Sequence, residues 1–180
     1  MTIISKAVDK AKIAGANQIE ADFKKRVFTD GKKTDGSDIG VYDTVPTYVS
    51  IDGAKKKYGS QLKSSALKPI GKTGQSKFKN GKPHKSQYFG DGYAGFRAQV
   101  GRQNSKIDLN LTGNLQDSIA TGVTQKGLQL GFINSEGAEL ASYHDQRFGE
   151  IFTASEQEQD KVIEVMGDII LDELIKELTR

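Results

Sequence analysis

Ser155-Glu156-Gln157-Glu158 opens the stretch SEQEQDKVIEVMGDIILDELIKEL, residues 155–178, and its reading decides the fold. A serine followed three residues later by glutamate is the capping-box pattern, in which each side chain bonds the other residue's backbone N–H. Val162, Val165, Met166, Ile169, Ile170, Leu174 and Leu178 then recur at helical spacing, and Ile163, Leu171 and Ile175 widen the apolar face. The pattern predicts a helix running to about Leu178.

Working outward, residues 2–25 read as a second amphipathic helix. Ile4, Ala7, Val8, Ala11, Ala14, Ile19 and Phe23 form its stripe, and Gly15 is its weak point. Val27 and Phe28 suggest a strand at 26–29, and Thr47–Ile51 a second one with Pro46 at its edge. Asp91–Arg102 reads as a short helix with Tyr93, Phe96 and Val100 on one side. Ile107-Asp108-Leu109-Asn110-Leu111 alternates like a strand. Thr112 suits the N-cap of a helix from Gly113 to Ala120 that buries Leu115 and Ile119. Gly122–Thr124 and Leu128–Ile133 suggest a hairpin turning at Lys126-Gly127, followed by a helix at 138–147. This order of elements predicts an α+β fold: a small antiparallel sheet packed with an N-terminal and a long C-terminal helix. One domain of residues 1–180 is expected, with residues 53–90 inserted as an extended arm.

The arm follows from composition. Residues 53–90 hold ten lysines, six glycines, two prolines and no acidic residue. Too few large apolar side chains are present to fold this stretch alone. Residues 155–180 hold eight acidic residues against Lys161, Lys176 and Arg180. The formal net charge of +3 conceals this asymmetry, which suggests complementary contacts. The arm's contact residues are Lys55, Lys56, Lys57, Tyr58, Lys63, Lys68, Lys72, Lys77, Phe78, Lys79, Lys82, Lys85, Tyr88 and Phe89. Three readings stay open: docking on acidic faces of neighbouring subunits, contact with nucleic-acid phosphates and bases, or a solvated loop. The lack of arginine in the stretch weighs against base-specific recognition.

Catalytic readings find little support. The chain has no cysteine, which removes disulfides, thiol catalysis and thiolate metal sites. Ala66–Thr73 fits a relaxed phosphate-loop pattern, with Lys72 and Thr73 in the functional positions. It lacks the strand before and the helix after that the motif requires. His84 and His144 are the only histidines, and no Gly-x-Ser-x-Gly elbow occurs. Asp30, Asp35 and Asp38 sit beside glycines, where turn chemistry explains them. The expectation is a non-enzyme with no cofactor and no bound metal. With no secretory apolar region and no apolar run near ~20 residues, it is expected to be soluble, made in a bacterial cytoplasm and without membrane contact.

Leu111-Thr112-Gly113-Asn114-Leu115-Gln116-Asp117-Ser118-Ile119, followed by a hairpin, Tyr143-His144, Phe148-Gly149 and a terminal helix, resembles the small neck and tail-completion proteins of tailed bacteriophages, the virion morphogenesis family. The resemblance spans residues 107–178. It implies an α+β subunit of a ring between head portal and tail, with no catalytic residue. Its partners would be copies of itself, other portal, neck and tail proteins, and genomic DNA in the channel. It implies structural roles for Leu111, Thr112, Gly113, Leu115, Ser118, Tyr143, His144, Phe148 and Gly149. Thr112 and Gly113 would start a helix, and Tyr143–Gly149 would shape the turn into the last one. The Pro and Arg that the family carries before its terminal helix are absent between Glu150 and Ser155. The place in the ring stack therefore stays open among head-side adaptor, neck ring and tail terminator.

Overall fold

The computed structural model describes residues 3–50, 73–77 and 83–179. The fold is α+β. The chain divides into two compact units, residues 1–39 with 113–180 and residues 40–112.

In the first unit, helix α1 (Ile3–Lys24) packs antiparallel to the terminal helix α5 (Glu156–Leu178). Ion pairs mark the two ends of the contact: Lys10–Glu173 at 2.7 Å and Lys161–Asp22 at 2.9 Å. Along this contact α1 presents Ala7, Ala11 and Gly15, small residues four apart, all buried. A Cβ on Gly15 would lie 2.9 Å from Met166, so Gly15 is where the helices approach most closely rather than a weak point. The capping box forms: Ser155 Oγ accepts from the Glu158 N–H, and Glu158 accepts from the Ser155 N–H at 2.8 Å.

Residues 26–29 are not a strand. Lys25–Asp30 continue α1 as a π-helical turn closed by Gly31 in the left-handed region. Arg26 accounts for the change. Its Nε donates to Glu158 at 2.7 Å, and its terminal nitrogens donate to the carbonyls of Lys32, Ile151 and Thr153. An extended 26–29 would carry this guanidinium away from the buried Glu158 carboxylate, leaving a charge unpaired. Phe23, Phe132 and Phe152 complete the local core, with Phe132 edge-on to Phe152 at 5.7 Å.

The motif region is shorter and tighter than a helix from 113 to 120. Helix α3 spans Asn114–Asp117 and strand β4 (Ile119–Thr124) begins at once, pairing with β5 (Gly127–Phe132). Gly113, at φ 94°, occupies the N-cap position expected of Thr112, because the backbone there is left-handed. Leu115 and Ile119 are buried as expected. Helix α4 (Ser135–Phe148) starts three residues earlier than the periodicity indicates, because Asn134 caps it by accepting from the Gly137 N–H at 2.7 Å.

The second unit holds β1 (Thr47–Ser50), β2 (Thr73–Lys77) and β3 (Pro83–Phe89) in an antiparallel sheet of order β1-β3-β2. Helix α2 (Gly92–Gln99) packs on it, and Phe89, Phe96 and Val100 form the core with Val49, Tyr93 and Leu111 around them. The described part of the expected arm is therefore sheet. Ser86, Gln87 and Phe89 are buried in it, which an extended arm cannot provide. The alternation at 107–111 also misleads: Leu109 has φ 50° and the segment pairs with no strand. Arg97, only 1% exposed, organises it instead. Its guanidinium donates to Asp108 at 2.8 Å and to the carbonyls of Gln103 and Asn110, and lies 4.1 Å over the Tyr42 ring.

Candidate functional site

The ten apolar residues of the widened stripe of α5 divide into two sets. Val162 is buried, and Val165, Met166, Ile169 and Ile170 are half-buried on the side that meets α1. Ile163, Leu171, Leu174, Ile175 and Leu178 stay in solvent, at 68% exposure for Ile163 and 87% for Leu178. From Ile163 to Leu178 this second stripe covers roughly 22 Å of helix. Gly167 sits in its middle, and a Cβ there would touch nothing among the described residues. Ile4 of α1, at 62% exposure, adds apolar surface at the end of the pair where Lys10 meets Glu173. An exposed apolar face of this extent is a candidate contact surface.

Carboxylates run beside the stripe. Asp160, Glu164, Asp168 and Asp172 follow each other at four-residue spacing, all exposed. Like charges at that spacing repel, by about 0.2–0.5 kcal/mol per pair. None of the four has an ion pair among the described residues. Glu173 differs, because hydrogen bonds from Lys10 and Lys176 hold its carboxyl below the usual glutamate range.

The residues at 111–119 and 143–149 make local structural contacts. Ser118 is buried, with Oγ donating to the Leu115 carbonyl at 2.7 Å and its own carbonyl accepting from the Ile133 N–H. A Cβ on Gly137 would meet Ser118 Cβ at 2.7 Å, so a glycine is needed where α4 crosses. Leu111 lies against the core of the second unit. His144 stacks on Phe148, rings 17° apart, and burial then the Arg147 charge push its pKa down. Tyr143 points outward, its hydroxyl 3.4 Å from Arg147. Gly149 at φ 93° ends α4. Asp145, which sequence reasoning passed over, holds the next turn: its Oδ1 accepts from the N–H groups of Ile151 and Phe152. An aspartate six residues before an apolar pair gives no recognisable signal.

Two buried side chains elsewhere, Tyr42 and Arg26, are also engaged, whereas Gln103 Nε2 and Thr121 Oγ1 are buried without a hydrogen-bond partner among the described residues. In the second unit Tyr42 donates to Asp108 at 2.9 Å, and burial pushes its hydroxyl up against the pull of Arg97. In the first unit a cavity of about 560 Å³ opens beside the start of α5, lined by Arg26, Lys33, Thr34, Glu150 and Ser155 among others. Arg26 already spends its donors on Glu158 and three carbonyls, so this cavity holds no free guanidinium for an anion. Among the described residues no cluster of histidines and carboxylates could hold a metal ion, and no helix is long and apolar enough to cross a membrane.

The arm residues fare differently from one another. Lys55, Lys56, Lys57, Tyr58, Lys63, Lys68, Lys72, Phe78, Lys79 and Lys82 lie outside the described residues. Lys77 and Lys85 fall on β2 and β3. Tyr88 packs its ring against Tyr48 at 5.2 Å. Phe89 is core, edge-on to Phe96 at 5.7 Å, and is not available to stack on a base or a partner. Thr73, the last residue of the phosphate-loop pattern, begins a strand where that motif requires a helix. Comparison with protein-family models, curated proteins and solved structures returns no match.

Proposed function

We propose that this chain is a structural subunit of a bacteriophage virion that forms a ring in the neck, as a head–tail connector or tail terminator. The observation that carries the reading is the exposed apolar stripe of α5, Ile163 to Leu178. It is a long, ordered surface that the chain's own fold leaves uncovered, which suits a protein whose work is contact with copies and neighbours. The motif at 111–119 and 143–149 supplies the setting by resemblance, and its residues hold helix starts and turns rather than a reaction centre. A ring is built from head-to-tail contacts, in which two different faces of one subunit meet.

Negative-stain imaging with mass determination, on the chain alone and with portal and tail proteins, tests the reading. Discrete rings or a stable complex with a connector are expected. A monomer that ignores those partners contradicts it. If that monomer binds DNA in a strongly salt-dependent way, the ten lysines of residues 53–90 make a nucleic-acid-binding protein the better account.

A further inference from the structure

We infer that the outer face of α5 receives the lysine-rich segment 53–72 of a second copy of the chain. The inference rests on the ring reading and names the two surfaces that close it.

Charge selects the occupant. Residues 156–178 carry eight acidic residues and two lysines, a net of −6. A symmetric contact, α5 on α5, would set −6 against −6 across a desolvated stripe, and like charges so placed oppose association. Nucleic acid and an anionic lipid surface are disfavoured on the same ground. The complementary surface is in this chain: Lys55, Lys56, Lys57, Lys63, Lys68 and Lys72, with no acidic residue from 53 to 72. Asp160, Glu164, Asp168 and Asp172 repel one another in the isolated helix, and lysines brought alongside relieve that repulsion. The apolar contribution is beside them. Leu171 and Ile175 stand three residues beyond Asp168 and Asp172, on the same side of the helix, so one bound segment covers both. Lysine stems lie along such apolar surface while the ammonium groups reach the carboxylates. Two different faces of one subunit meeting in this way give a heterologous contact, which closes as a ring or propagates.

The test uses two full-length variants and their mixture. One carries E164K/D168K/D172K, the other K55E/K56E/K57E. Sedimentation equilibrium reads self-association, and circular dichroism with thermal melting verifies the fold of each. A neutral set, E164Q/D168N/D172N, gives a milder version on the same helix. Each reversed variant alone is expected to associate at least ~10-fold more weakly than the native chain. The neutral set is expected to fall between. Mixing the two reversed variants pairs lysines on α5 with glutamates on the segment, and glutamates of one with lysines of the other, so association returns. Native-like association by the α5 variant alone, or a mixture of folded variants that stays dissociated, overturns the contact while leaving the ring reading standing. A native chain that is monomeric at every concentration overturns both.

Discussion

The two faces of α5 obey the same periodicity and meet opposite fates. The inner face starts from a capping box, gives Glu158 to Arg26 and sets Val162 and Met166 against α1. The outer face is also apolar in sequence, yet Ile163, Leu171, Ile175 and Leu178 stand in solvent. The difference teaches that an apolar stripe too wide for one partner helix leaves a second apolar face in solvent.

Substitutions along the helix should separate the faces. The largest effect belongs to the capped end. Glu158→Ala removes both a cap and the partner of a buried arginine, and should cost about 3–5 kcal/mol in urea unfolding. Leu171→Ala, on the same helix, should change monomer stability by less than ~0.5 kcal/mol. An equal cost at both positions breaks the comparison. Next in size is Gly15→Val, which drives two methyl groups into Met166 and should destabilise by about 1–3 kcal/mol.

The turn into the capped end should also respond to pH. Burial and the Arg147 charge lower the His144 pKa in the folded chain, with Asp145 opposing them. The unfolded chain then binds the proton more readily, so the stability contribution is present above the ordinary value of 6.5 and is lost as pH falls through the depressed one. Thermal melts between pH 7 and pH 5 should show a decline that His144→Phe flattens. An identical decline in that variant removes His144 from the account. The last effect is of opposite sign. Gly167 meets nothing among the described residues, so Gly167→Ala should stabilise the isolated chain by about 0.5–1 kcal/mol through helix propensity alone. Destabilisation would show that the outer face is covered within the chain.

How much of this was legible in the sequence follows from the range of the forces involved. The capping box, both long helices and the hairpin are set by neighbours a few residues apart, and their patterns read correctly. The π-helical turn at Lys25–Asp30 depends on Arg26 finding Glu158, 132 residues away, and no local pattern announces that. Arg97 likewise draws Asp108 and its neighbours out of the extended form that their alternation suggests. Residues 83–89 look like arm because the alternation of polar and aromatic residues is weak, yet Gln87 is buried and bonds Gln99 at 2.9 Å. The candidate surface was half legible. Its acidic balance and its apolar width are in the sequence, but which apolar residues α1 leaves uncovered is decided by the register of the Lys10–Glu173 and Asp22–Lys161 pairs.

The central claim, that the outer stripe of α5 is a contact between subunits, is tested most directly by sedimentation of the native chain beside Ile163→Ala/Leu171→Ala/Ile175→Ala. The account predicts discrete, concentration-dependent assemblies for the native chain. It predicts a monomer with an unchanged unfolding midpoint for the variant. A variant that assembles as the native chain does would contradict it.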